Sequence, residues 1–439
     1  MSITNQIEKT KAFFNSKATL SIEFRIEQLK KLKNTIVHYQ SQIESALWAD
    51  LRKSPEECYL TEIFVTLQEI NLHIKHLKSW AKLKYVPTPL HLFPSESYLH
   101  YEPLGVALIF APWNYPFNLV FNPLIGAISA GCCAVVKPSP EASATAGIVC
   151  KIIEECFCSD YICTIQGETE TSTQLLEQKF DIIFFTGSPR VGKIVYEAAA
   201  KNLTPVILEL GGKSPCIVDL DADIAIAARR ITFGKWLNAG QTCIAPDYLF
   251  VHNDVKDELL KAIKVEIVKM YGDDIINSPY YGRLINHKRF DCVKSLYQGQ
   301  QLYFGGESDR DAKYISPTIV DNVATSSPIM QEEIFGPLLP VITFDTLDVV
   351  IEYVNSNEKP LALYYFGGGS KRIINQTSSG GVCINDTIMH IANHNLPFGG
   401  VGNSGVGRYH GKDSFRLFSN SKSVLNTPTW IDLPFRYAP

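Results

Sequence analysis

The chain has 439 residues, 46% of them hydrophobic and 20% charged, with a formal net charge of −4. That balance describes a folded globular protein of two or three domains and excludes intrinsic disorder. It offers no basic footprint for a nucleic acid and no apolar run of the roughly 18 residues that a membrane helix needs, so the expected partner is a small molecule.

The opening MSITNQIEKTKAFF has no apolar signal core, and the 11 cysteines are scattered and odd in number. Both features point to a reducing cytoplasm and a protein without a membrane anchor. Cys150, Cys156, Cys158 and Cys163 lack paired C-x2-C spacing and have no histidine nearby. They read as buried thiols, with no metal expected.

Apolar residues at helical spacing run from Phe13 to Leu51, and the first 84 residues read as helices. The segment YVPTPLHLFPSESYLHYEP is rich in proline and aromatics, which predicts an edge hairpin or projecting arm. From Gly105 short apolar runs (GVALIFAP, CCAVVK, YICTIQ, FDIIFF, TPVILEL) alternate with helical segments such as 142–155 and 190–201. This alternation predicts a parallel sheet whose ligand lies beyond the carboxyl ends of its strands. After Leu210 the alternation restarts, with SPCIVD and DYLFVHN as strands and helices near 222–233 and 255–270. The predicted class is α/β, with two Rossmann-like parallel-sheet domains and a small β arm.

Gly187-Ser188-Pro189-Arg190-Val191-Gly192-Lys193 follows the apolar run FDIIFF and fits most of a phosphate-binding loop. Ile194 stands where that motif needs a magnesium-binding hydroxyl, so a dinucleotide pyrophosphate at a helix N-terminus fits better than a nucleotide triphosphate. Gly400-Val-Gly402-Asn-Ser-Gly405 matches G-x-G-x-x-G but follows a polar, proline-containing segment, so it reads as a close-packed loop. Gly240-Gln-Thr-Cys243 sets a cysteine among small and polar residues, the setting of an accessible nucleophile. Glu209 ends the run Val206-Ile207-Leu208, where partial desolvation raises a carboxyl pKa and makes a base.

Seven segments then fall in register: Pro112-Trp113-Asn114-Tyr115-Pro116, Lys137-Pro138-Ser139, Phe185-Thr186-Gly187-Ser188, Leu208-Glu209-Leu210-Gly211-Gly212-Lys213, Gly240-Gln-Thr-Cys243, Glu333-Ile-Phe335-Gly-Pro337 and Pro397-Phe398-Gly-Gly400. Together they resemble the aldehyde dehydrogenase superfamily, and Ile-Ala-Pro-Asp-Tyr248 after the cysteine is similar to its class 3 branch. The resemblance implies NAD or NADP as cofactor, a medium-chain, long-chain or aromatic aldehyde as substrate, and a homodimer. It implies a cofactor-binding domain over 1–84 and 102–210, a catalytic domain over 211–410, and bridging segments at 85–101 and 411–439. It also implies roles: Cys243 as nucleophile, Asn114 as oxyanion donor, Glu209 as the base for hydrolysis, and Lys137 at the adenine ribose. Gly187, Ser188, Pro189, Arg190, Val191 and Gly192 would surround the pyrophosphate, and Glu333 with Phe335 the nicotinamide ribose. Two positions depart from the pattern. Pro140 follows Lys-Pro-Ser where relatives commonly carry Glu, with Glu141 one place later, and Pro189 follows Gly-Ser. NAD and NADP both stay open. A CoA-acylating enzyme, a silent binding protein and a phosphotransferase are the alternatives; the first is disfavoured by Glu209 and the last by Ile194.

Overall fold

The computed structural model describes residues 2–432. The helical N-terminus comprises Ile3–Asn15, Ile22–His38, Gln40–Leu51 and Phe64–Trp80 as its main helices. The periodicity from Phe13 to Leu51 is broken at two points. Ser21 Oγ accepts from the Phe24 N–H (3.2 Å) and starts a new helix, and Tyr39 separates the next pair.

The first sheet has six strands in the order Gly405–Val406, Val206–Leu210, Ile182–Gly187, Val106–Phe110, Cys133–Lys137, Ile162–Thr164. All are parallel except Gly405–Val406, which returns from far along the chain to lie antiparallel beside Glu209. Val106–Phe110 and Cys133–Lys137 are buried at every position, which is why they read as unbroken apolar runs rather than alternating ones. Asn118–Ala130, Ser143–Cys156, Thr169–Leu176 and Pro189–Ala200 are the connecting helices.

The second sheet has seven strands in the order Leu302–Phe304, Thr318–Val320, Leu338–Phe344, Tyr248–His252, Pro215–Val218, Ala362–Phe366, Gly381–Ile384. Only its edge strand Leu302–Phe304 is antiparallel. The proline-rich segment forms the third sheet, in which Lys84–Val86 and Ser419–Asn426 flank Glu96–Pro103, both antiparallel. The segment 411–439, expected to bridge, is described only as far as 432; its last seven residues, 433–439, lie outside the described residues. Of the four clustered cysteines, Cys158 is exposed and the other three are buried.

Candidate active site

Lys137, Gly187 and Glu209 stand at or beside the carboxyl ends of their strands in the first sheet. A cavity of about 840 Å³ opens there, lined among others by Asn114, Glu209, Cys243, Glu333, Phe335 and the stretch Gly187–Arg190. Cys243, Asn114, Glu209 and the glycine turn at Gly187 thus share one space. Val191 and Gly192 do not line it. Gly192 packs the helix onto the sheet, since a Cβ there would stand 2.8 Å from Leu210 Cδ2. Lys137 is buried beside a second recess of about 250 Å³ lined by Pro138, Ser139, Pro140 and Glu168. Burial lowers its pKa, against the charge of Glu168.

Cys243 is held by an unusual turn. Asn238 and Ala239 both take left-handed backbone angles (φ 53° and 51°), and Gly240 follows at φ 75°. A Cβ on Gly240 would lie 2.2 Å from Gly336 O, so only glycine fits. Gln241 fastens the turn: its Nε2 donates to Arg283 O (2.9 Å), and its Oε1 accepts from the Ile285 N–H (3.0 Å). Asn114 Nδ2 donates to Gln241 O (3.1 Å), so one of its two N–H bonds anchors it to the cysteine loop and the other remains for a ligand.

Glu209 is 1% exposed, and neither carboxyl oxygen has a hydrogen-bond partner. Burial, with Glu333's charge adding to it, pushes its pKa up to about 8. Burial, followed by the charges of Glu209 and Glu333, raises the Cys243 thiol well above its ordinary value. The thiol and the two carboxyls therefore resist carrying negative charge together, and Glu209 gains and loses its proton closer to neutrality than an ordinary carboxyl.

The Glu333–Phe335 segment is fastened from below. Lys213 Nζ pairs with Asp247 and donates to Ile329 O (3.0 Å) and Glu332 O (2.9 Å). Asp247 Oδ1 accepts the Ile334 N–H (2.9 Å), and Arg289 donates to the carbonyls of Ile334 and Phe335. Phe335 sits at φ 46° with its ring edge-on to Trp113 (5.3 Å). This cavity suits a dinucleotide. Pro189–Ala200 is a 12-residue helix capped by Ser188, so its free amides face the cavity edge. Bulk is excluded beside it, since a Cβ on Gly187 would stand 2.6 Å from the Phe185 ring and one on Gly211 2.1 Å from Glu333 Oε2.

Residues 1–424 match the model of the aldehyde dehydrogenase family. The chain belongs to that family. It is an oxidoreductase that oxidises aldehydes with NAD or NADP. It is 51% identical to the 4,4'-diaponeurosporen-aldehyde dehydrogenase of Staphylococcus aureus, covering 98% of this chain and 95% of that one. It is 44% identical to the dimeric NADP-preferring aldehyde dehydrogenase of Canis lupus familiaris, covering 100% and 98%. A solved Staphylococcus aureus AldH in its substrate-bound state superposes with a TM-score of 0.99 at 49% identity, covering 100% of this chain and 97% of that one. Among the described residues no helix is long and apolar enough to cross a membrane.

Sequence reading missed the support beneath the family's cysteine loop. Lys53 is wholly buried, and its Nζ donates to Glu62 Oε1 (2.6 Å) and Asn114 O (3.0 Å) while lying 4.0 Å from the Tyr115 ring centroid. Glu57 Oε1 accepts the Asn238 N–H (2.9 Å), and Asn238 Nδ2 donates to Asn114 O (2.8 Å). Lys53 and Glu57, from the N-terminal region, thus hold both Asn114 and the turn that carries Cys243. A lysine between two helices and two glutamates just after it carry no sequence signal of this, because such residues are ordinarily solvated.

Proposed function

We propose that Cys243 is the nucleophile, Asn114 the oxyanion donor and Glu209 the hydrolytic base of an enzyme for apolar aldehydes. One observation carries this reading: the three side chains line a single cavity with the capped helix at Ser188 and with Glu333. The Cys243 sulfur attacks the aldehyde carbon, and the free Asn114 N–H with the Cys243 amide stabilises the oxyanion, each such donor worth about 3 kcal/mol. NAD or NADP, when bound, would supply the acceptor for the hydride that this tetrahedral carbon gives up. Glu209 then removes a proton from water, which attacks the thioester and releases the acid and the thiolate. Lys137 would hold the adenine ribose; Gly187, Ser188, Pro189 and Arg190 would meet the pyrophosphate, with Val191 and Gly192 seating the helix behind them; Glu333 and Phe335 would hold the nicotinamide ribose.

We assign 1–84 and 102–210 to cofactor binding, 211–410 to catalysis, and 85–101 with 411–439 to bridging between copies of a homodimer. Exposed Tyr85, Leu90, Phe93 and Leu425 on the arm support the last assignment, as does a relative named dimeric. Eleven free cysteines support a cytoplasmic setting. Trp113, Met330 and Phe335 in the cavity wall, and a relative named for 4,4'-diaponeurosporen-aldehyde, support medium-chain, long-chain or aromatic substrates. A panel of alkanals of rising length and aromatic aldehydes, run with each cofactor and followed by reduced-nicotinamide absorbance, tests the reading. Falling kcat/KM with chain length, or dependence on CoA, would overturn it.

A further inference from the structure

Several buried polar atoms on one wall of the site have no partner. Thr186 and Glu209 are register neighbours on adjacent parallel strands, so their side chains leave the sheet on one face. Thr186 Oγ1 and both Glu209 carboxyl oxygens lack hydrogen bonds. Beyond Gly405, which pairs with Glu209, the chain crosses that same face. A Cβ on Gly407 would stand 3.0 Å from Ile207 Cδ1, and the Tyr409 ring lies edge-on to Phe184 with centroids 5.0 Å apart. Phe184 and Ile207 are themselves register partners, two positions before Thr186 and Glu209.

Tyr409 is 1% exposed, and its hydroxyl also has no partner. A phenylalanine would fill the same apolar space without burying an unmatched hydroxyl, so packing does not explain the oxygen. Burial raises the phenol's pKa, and the charges of Glu209, Cys243 and Glu69 add to the rise. The His410 ring adjoins that of Tyr409 (4.4 Å), and its Nδ1 is unpartnered. Burial lowers His410 to about 4, which keeps it neutral and unable to hold a proton for long. Glu69 lies beyond, receiving the Gly411 N–H (2.7 Å) and facing His73 (3.0 Å) and His394 (2.8 Å). The His394 side chain is 26% exposed and reaches solvent.

We propose that the Tyr409 hydroxyl is the first carrier of the proton that Glu209 takes during thioester hydrolysis, joined to it by one ordered water, with the His410, His394 and Glu69 cluster as the exit. This rests on Glu209 being the base. A water O–H bond breaks, its proton joins a Glu209 oxygen, the new C–O bond forms and the C–S bond breaks to return the Cys243 thiolate. Glu209 then passes its proton to the bridging water. That water protonates the Tyr409 oxygen as Tyr409's own proton leaves through a second water toward the His410, His394 and Glu69 cluster, which passes it on to solvent at His394 without retaining it, and no oxidant or reductant is consumed.

Tyr409→Phe keeps the ring and removes the carrier. The expected result is an unchanged burst of reduced cofactor, unchanged cofactor affinity, a steady-state rate lower by about tenfold or more, and a larger solvent deuterium isotope effect on that rate. Wild-type turnover with a wild-type isotope effect, or a burst lost in proportion to turnover, overturns the proposal. Glu209→Gln measured in parallel separates the two ideas. If it keeps hydrolysis, the base assignment fails and the relay with it. If it loses hydrolysis while Tyr409→Phe behaves as wild type, the relay alone fails.

Discussion

Glu209→Gln replaces the proposed base with a neutral group of nearly the same shape. The carboxyl titrates at about 8 in the folded chain against an ordinary value of 4.5. Between those values the native state keeps a proton that the unfolded chain has released. Each unit corresponds to about 1.4 kcal/mol, so folding bears a cost of about 3 kcal/mol at pH 7 and about 5 kcal/mol above pH 8. The stability involved is complete below pH 4.5 and lost as the pH rises to about 8. Glutamine carries no such dependence, and any fixed cost of its buried amide cancels when pH values are compared. The variant's melting temperature, relative to wild type, therefore climbs by a few degrees between pH 5 and pH 8. Kinetics move in step. Glu209's charge raises the Cys243 thiol, so the variant forms its thiolate at lower pH and keeps the burst, while steady hydrolysis falls by ~10²–10⁴. Stopped-flow absorbance of the reduced nicotinamide and calorimetry across that pH range read both effects. A melting difference that does not change with pH, or a burst that falls together with turnover, would refute the reasoning.

Cys243→Ala abolishes aldehyde oxidation and leaves cofactor binding intact by nicotinamide fluorescence; retained turnover would mean a different nucleophile. Asn114→Ala slows the burst by ~10²–10³, because a fixed donor at the developing oxyanion is removed; an unchanged burst rate in rapid mixing would exclude that role. Lys53→Met strands the buried Glu62 and destabilises by about 3–5 kcal/mol in denaturant titration, and adding Glu62→Gln recovers much of the loss. A single variant as stable as wild type would show that the pair carries no such weight.

The parallel sheets were legible because strands buried on both faces, such as Val106–Phe110 and Cys133–Lys137, must be apolar at every position. The glycine turn before Pro189–Ala200 and the cysteine among small residues were legible because a short motif carries its own backbone demands. Helix breaks at 16–21 and Tyr39 were not, because the apolar periodicity runs across both.

The order of motifs along the chain determined which residues would meet, but not the field in which they meet. The pKa values of Glu209 and Cys243 arise from their shared burial and mutual repulsion, and from Glu333 far along the chain. Lys53 lies 61 positions from the Asn114 carbonyl that it supports, and Tyr409 reaches Glu209's face of the sheet only because Gly405 returns to pair there. Desolvation and coulombic coupling depend on distance through space, and only the tertiary structure supplies that distance.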